Sequence, residues 1–283
     1  MDFRTPVAIP PPDFQIEPLE EMLFVGSCFA DSIGQRFVAE QFRATVNPYG
    51  TMYNPASVFH SVERWLLQQP ADNGRRLVVF ITLGTNHIYR LKATGEIVDN
   101  CQKRPQRLFS EEELTAEQCA LFLRRTVALL QRHRRNVYVV FTVSPIRYRK
   151  YGYHESQLSK ATLLLAVNAV ATTPGLCYFP AYEIVMDELR DYRFYADDML
   201  HPSPVAVEYI WQQLAAHYLS PRARQFLVEW APLKAAFAHR PLNADSADYR
   251  QFLEQTKQKA ATLLARYGKE YGCGEELSAQ TII

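Results

Sequence analysis

The sequence predicts an α/β fold built on a doubly wound parallel sheet, and three observations carry that expectation. Two continuous apolar runs, LVVFITL at Leu77–Leu83 and VYVVFTV at Val137–Val143, read as strands buried on both faces. Other segments space their apolar residues as a helix does, such as Ile33, Phe37 and Val38 within Ala30–Gln41. The two kinds of segment alternate from Leu23 to Leu219, as they do when helices cover both faces of a parallel sheet.

Residues 1–20 read as an extended, proline-rich lead-in. Leu23–Val25 is a short strand, Ala30–Gln41 a helix and Phe42–Val46 the second strand, followed by the turn-rich loop NPYGTMYNP. Pro55 suits the first turn of a helix that runs through Val58, Val62 and Leu66. After Leu77–Leu83, the stretch HIYRLKATGEIVDN reads as a hairpin turning at Ala93–Glu96. Glu111–Arg134 has a long helical pattern, and Val137–Val143 is a strand ended by Ser144 and Pro145. Gln157–Ala171 is helical, Leu176–Phe179 is the last parallel strand, and Tyr182–Leu189 and Pro204–Leu219 are helical. Five strands suit an open, flavodoxin-like sheet better than an eight-stranded barrel, and ligands then bind beyond the carboxyl ends of the strands. Residues 1–220 form one α/β domain on this reading, and residues 221–283 a charged helical appendage.

Composition narrows the function classes. With 48% hydrophobic residues in 283, the chain can bury a sizeable core and does not read as disordered. A net charge of +1 gives no pull toward nucleic acid or anionic lipid. No apolar run is long enough to span a bilayer, and the lead-in lacks the apolar core of a signal peptide, so a cytoplasmic protein with no nucleic-acid or membrane partner is expected. The five cysteines are scattered without a C-x-x-C pair, which suits free thiols rather than a zinc site or a disulfide framework. The seven histidines show no metal-ligand spacing and no P-loop is present, so neither metal nor cofactor is expected.

The chemistry concentrates at two distant places. In FVGSCFADSIGQRF, Gly26 allows a sharp turn where a strand gives way to a helix, and Ser27 and Cys28 stand at that junction. Unpaired N–H groups and partial positive charge at a helix start favour both a nucleophile and an oxyanion, although Ser27 is equally suited to capping the helix. In YADDMLHPS, Asp198 and His201 are three residues apart, a spacing at which one turn can hold a carboxylate against an imidazole Nδ1–H. Asp197 is a neighbouring acid that can take the same role if the loop turns otherwise. Gly50, Asn86 and Asn100 fall after successive strand-like segments and are candidate oxyanion donors. Arg147, after the fourth strand, can clamp a carboxylate or phosphate of a substrate, or pair with a surface acid. Lys160 and His154 share that ambiguity, and Tyr148, Tyr151 and Tyr153 can form a sugar-stacking lip. Tyr178, Phe179 and Tyr182 read as core.

The order of these motifs resembles that of the SGNH (GDSL-type) hydrolases, and the literal GSCFA at Gly26–Ala30 is similar to the naming motif of the GSCFA-domain family. NPYGTMYNP, ITLGT, NCQK, SPIR with the following SKA, and the long block ending in DDMLHPS extend the resemblance over roughly Phe24–Ala215. It implies a three-layer α/β/α SGNH-hydrolase fold with a nucleophile, His201 and Asp198 as the working set. Three departures matter. Laying G-S-C over G-D-S puts Cys28 in the nucleophile position, whereas a shift of one residue restores Ser27; the gapless register favours Cys28. His87 stands where an Asp follows G-x-N, and Gln102 where the family pattern has His.

The expected function is therefore a hydrolase cleaving a small acyl ester, such as an O-acetylated carbohydrate by analogy with relatives. An acyltransferase using the same residues and a non-catalytic binding domain on the same fold are the alternatives. The expected partner is the small-molecule or carbohydrate ester itself.

Overall fold

Period-two alternation along the apolar strands sets the layers. The computed structural model describes residues 4–69, 72, 74–99, 101, 104–243 and 245–270. Its strands are β1 (Glu21–Gly26), β2 (Arg43–Val46), β3 (Leu77–Leu83), β4 (His87–Leu91), β5 (Ile97–Val98), β6 (Phe109–Glu113), β7 (Val137–Val143) and β8 (Leu176–Tyr178). Five of them pair in parallel in the order β2-β1-β3-β7-β8, the doubly wound order in which the connections reverse direction beside the first strand.

Leu77, Val79, Ile81 and Leu83 of β3 point to one face with Leu23 and Val25 of β1, under α2 (Pro55–Leu66), α3 (Ala116–His133) and α4 (Tyr153–Asn168). Val78 and Phe80 point to the other face with Met22 and Phe24, under α1 (Cys28–Ala39) and α6 (Pro204–Tyr218). Between β8 and α6 the chain forms the short α5 (Ala181–Glu183), a π-helical turn at Ile184–Leu189 and a 3-10 turn at Tyr192–Phe194. The fold is thus a three-layer α/β/α sandwich. In the C-terminal part, α7 (Pro221–Ala238) and α8 (Ala247–Glu270) pack through Phe226, Trp230, Leu264 and Tyr267. Trp230 Nε1 donates to the Ala39 carbonyl at 3.1 Å and Lys234 pairs with Glu40 at 2.6 Å, which fixes α7 to the end of α1. Among the described residues no helix is long and apolar enough to cross a membrane.

Two segments differ from the sequence reading. Glu111–Glu113, expected to start a long helix, instead complete β6, which pairs with β4 so that His87, Ile88 and Tyr89 face Glu113, Glu112 and Glu111. Cross-strand pairing and the Arg90–Glu112 ion pair at 3.1 Å override the helix propensity of the three glutamates. The helix begins at Ala116, behind a reciprocal Thr115–Gln118 capping box. The expected hairpin is one side of a three-stranded sheet, β5-β4-β6, inserted between β3 and α3. The helix expected at Tyr182–Leu189 is mostly π-helical and ends at Arg190, which has left-handed φ of 42°.

Candidate active site

Gly26 ends β1 with φ of 142°, and a Cβ there would lie 2.1 Å from the Thr82 carbonyl oxygen of β3. Only glycine lets β1 and β3 approach this closely while the chain turns into α1. Ser27 N–H then donates to Thr82 O at 3.0 Å, and the Gly26 N–H donates to Asn47 Oδ1 at 2.9 Å. Asn47, at the end of β2 with φ of 39°, donates its other end to Asp31 in the first turn of α1 at 3.0 Å. One buried amide therefore ties the turn to the helix that follows it.

This geometry separates the two candidate nucleophiles. Ser27 is 1% exposed and is the N-cap of α1, its Oγ accepting the Phe29 N–H at 3.3 Å. Cys28 is the first helical residue, half-buried, and its Sγ lies 3.5 Å from the Tyr53 hydroxyl. A Cys28 N–H at this position has no acceptor within the helix. The hydroxyl is held by the segment carrying it: Met52 N–H donates to Gly26 O at 2.8 Å, and the N–H groups of Gly84 and Thr85 donate to Tyr53 O at 2.7 and 2.9 Å. Thr51 Oγ1 lies 3.5 Å from the same hydroxyl. Burial pushes the Tyr53 phenol above its ordinary value, and the neighbouring thiol adds to this, so it stays protonated and able to donate. Neither Tyr53 nor Thr51 was legible as a site residue, because a loop tyrosine carries no signal of what lies across from it.

The second place forms the expected dyad. Asp198 Oδ2 lies 2.5 Å from His201 Nδ1, while Oδ1 accepts the N–H groups of Leu200 and His201 at 2.8 and 3.0 Å. Those bonds, with the His201 backbone N–H first and its ring second, hold the carboxyl down at about 2. The imidazole is fixed at Nδ1 and keeps Nε2 for other work; the two side chains are 45% and 44% exposed. Asp197 does not take this role.

His201 stands two residues ahead of Ser203, the N-cap of α6. Helices α1 and α6 lie side by side, with Arg36 paired to Glu208 at 3.3 Å. Both helices begin at the carboxyl edge of the sheet, so Cys28 and His201 occupy one edge. Among the described residues no hydrogen bond joins them: the thiol meets Tyr53 and the ring meets Asp198. Contacts of this kind often close only with substrate bound.

The other candidates fall out differently. Gly50, with φ of 86°, closes a turn by donating its N–H to Asn47 O at 2.9 Å, so that donor is already used. Asn86 is 3% exposed and donates its side-chain amide Nδ2 to the Leu114 carbonyl at 2.8 Å, while its backbone carbonyl accepts the Leu114 N–H at 3.0 Å. It closes the base of the three-stranded insertion. Asn100 lies outside the described residues, as does Gln102. Arg147 donates its N–H to Leu200 O at 3.0 Å and Nη1 to Met199 O at 3.1 Å, which binds the loop after β7 to the His201 loop. The tyrosine lip divides: Tyr153 lies under Arg147, whereas Tyr151 stacks on buried His87 at 4.0 Å and accepts from Lys150.

Lys160 proves to be an interior residue. It is 3% exposed, and Nζ donates to Gly84 O at 2.7 Å and Ser144 O at 2.8 Å, joining the carboxyl ends of β3 and β7. Burial brings its pKa down from 10.5 to about 7. The unfolded chain therefore holds a proton that the folded chain releases between about pH 7 and 10.5, and stability from this group rises with pH across that window. Replacing Lys160 by Met strands two buried carbonyls, a loss of about 2–4 kcal/mol. Urea denaturation should show that the gap between wild type and Lys160→Met is wider at pH 9 than at pH 7.

A sequence model of the GSCFA family matches residues 21–77 and 74–214, and one described as the GSCFA domain protein C-terminal domain matches residues 230–270. No curated protein matches this chain. Among solved structures, a Streptococcus pneumonia protein provisionally described as a platelet activating factor is 15% identical, covering 72% of this chain and 85% of that one, with a TM-score of 0.48. A member of the lipolytic protein G-D-S-L family from Veillonella parvula DSM 2008 is 12% identical, over 70% of this chain and 97% of that one, with a TM-score of 0.46. An acetyl esterase variant with acetate ion is 10% identical, over 74% and 98%, with a TM-score of 0.41. These are distant likenesses.

Proposed function

Because this chain belongs to the GSCFA family, we propose that it is an SGNH-type hydrolase of small acyl esters in which Cys28 is the nucleophile. The observation that supports this most is the pairing of roles at one sheet edge. A half-buried thiol opens α1 while the adjacent serine is spent on the cap, and an imidazole oriented by Asp198 precedes α6.

In the reaction, His201 Nε2 takes the thiol proton and Sγ bonds to the acyl carbon. The negative oxygen that forms is held by the Cys28 N–H and the Tyr53 O–H. The carbon–oxygen bond of the ester then breaks, and His201 returns the proton to the departing alcohol. Water, deprotonated by the same ring, cleaves the thioester and frees the acid and the thiol. Acetyl fits the small acyl group expected here, and a carbohydrate alcohol is the leaving group we favour.

Turnover of p-nitrophenyl acetate by paired variants tests the proposal. Cys28→Ala should lose at least about 10³-fold of kcat. Ser27→Ala should keep most of the rate and lose about 1 kcal/mol of stability with its cap. Loss of turnover in Ser27→Ala with Cys28→Ala still active would reverse the assignment. A wild type that neither turns over the ester nor takes up iodoacetamide at Cys28 would leave a binding domain.

A further inference from the structure

Next to the His201 loop lies a cleft of about 470 Å³ whose walls include Arg147, Gln157, Tyr182, Asp187, Tyr192 and Tyr195. The π-helical turn Ile184–Leu189 supplies one wall, and the backbone is left-handed at Arg190 on its rim and at Met199, which Arg147 holds. Irregular helix and strained residues of this sort gather where a fold holds a ligand.

The charged groups lining the cleft are Arg147, Arg190, Asp187 and Asp191, and they are not paired alike. Asp187 pairs with Arg190 at 3.9 Å and Asp191 with Arg193 at 3.3 Å, so both acids are matched within the protein. Arg147 has no carboxylate within ion-pair distance among the described residues; its one hydrogen-bonded nitrogen meets a neutral carbonyl. Its guanidinium is instead packed against the rings of Tyr153, Tyr192 and Tyr195, at 4.4, 5.4 and 5.3 Å from their centroids. Such a cage holds the charge in place without neutralising it and leaves the planar fork able to take two oxygens of an anion. Tyr192 is 64% exposed, so its ring offers an open face to a ligand. Tyrosine faces with planar polar groups between them suit a sugar ring, whose C–H face stacks while its hydroxyls bond at the edge.

We propose that this cleft receives the alcohol part of the substrate and that the alcohol is an anionic sugar, its carboxylate or phosphate resting on Arg147. The assignment of that sugar as the leaving group rests on the esterase reading; the binding site itself does not. Arg147 then places the sugar beside His201, because its backbone and side chain both hold the loop one and two residues ahead of that ring.

Titration calorimetry on the full chain with galacturonate, glucose 6-phosphate, glucose and inorganic phosphate tests the site without needing turnover. One of the two anionic sugars should bind at least about tenfold more tightly than glucose or inorganic phosphate, and which one identifies the anion as carboxylate or phosphate. Arg147→Met should lower that affinity about tenfold or more, and Tyr192→Ala, at an exposed ring that folding does not need, by about fivefold. Cys28→Ala should bind as the wild type does. Equal binding of glucose and both anionic sugars, binding of inorganic phosphate as tight as that of the better anionic sugar, unchanged binding by both variants, or no binding at all would overturn the proposal. A chain that binds an anionic sugar yet cleaves no ester would keep this site and reject the esterase reading. A chain that cleaves p-nitrophenyl acetate and ignores anionic sugars would do the reverse.

Discussion

Replacing His201 by alanine should lower kcat/KM for p-nitrophenyl acetate by about 10³-fold while the protein stays folded. The thiolate and not the thiol is the nucleophile, so the reaction needs a group that takes the thiol proton. The ring is the base the structure offers, since Nδ1 is committed to Asp198 and Nε2 is not. Its side chain is 45% exposed and supports no core, so the loss would be chemical and not structural. Asp198→Asn should cost as much, about 10³-fold or more, because with the amide oxygen still accepting the Leu200 and His201 N–H groups the amide NH2 faces Nδ1 and the ring proton is forced onto Nε2. Stopped assays across pH 5–9 would measure both effects; a His201→Ala protein within about threefold of wild type would remove the base from the mechanism.

Gly26→Ala should be the most damaging single methyl group in the chain. The added Cβ would meet the Thr82 carbonyl oxygen at 2.1 Å, its carbon at 2.8 Å and its nitrogen at 2.9 Å, all backbone atoms of a central strand. A φ of 142° adds strain for any residue with a side chain. Neither can be relieved without parting β1 from β3, whose pairing register includes Gly26 with Thr82. Steric and backbone strain together suggest a loss of about 3–5 kcal/mol. Chemical denaturation should show a lowered midpoint, or no folded protein, and any folded remainder should have lost Cys28 reactivity along with the turn. A variant within about 1 kcal/mol of wild type would mean the turn tolerates a side chain, contrary to this account.

What the sequence made legible was whatever local pattern dictates. The apolar runs at Leu77–Leu83 and Val137–Val143 became the central strands because seven consecutive apolar or small residues can only be buried on both faces. Gly26 marked the turn, and the three-residue spacing of Asp198 and His201 was enough to bring carboxylate and ring together. Long-range contact was not legible. Glu111–Glu113 look helical until β4 lies beside them. Gly50 and Asn86 looked like donors facing a crevice, but a local turn and the Leu114 backbone claim them. Lys160 reads as a substrate clamp or a partner of a surface acid, yet its acceptors lie 76 and 16 positions away at two strand ends. Tyr53 meets Cys28 across 25 positions, a contact that no spacing announces.

The most direct measurement is to trap the acyl-enzyme with p-nitrophenyl acetate, quench it in acid, digest it and locate the added acetyl group by mass spectrometry. The account predicts a thioester on Cys28 in the wild type that forms far more slowly in His201→Ala, where the thiol lacks its base, and is absent from Cys28→Ala. An acetyl group found as an oxygen ester on Ser27, or a stable adduct nowhere but on surface lysines, would contradict it.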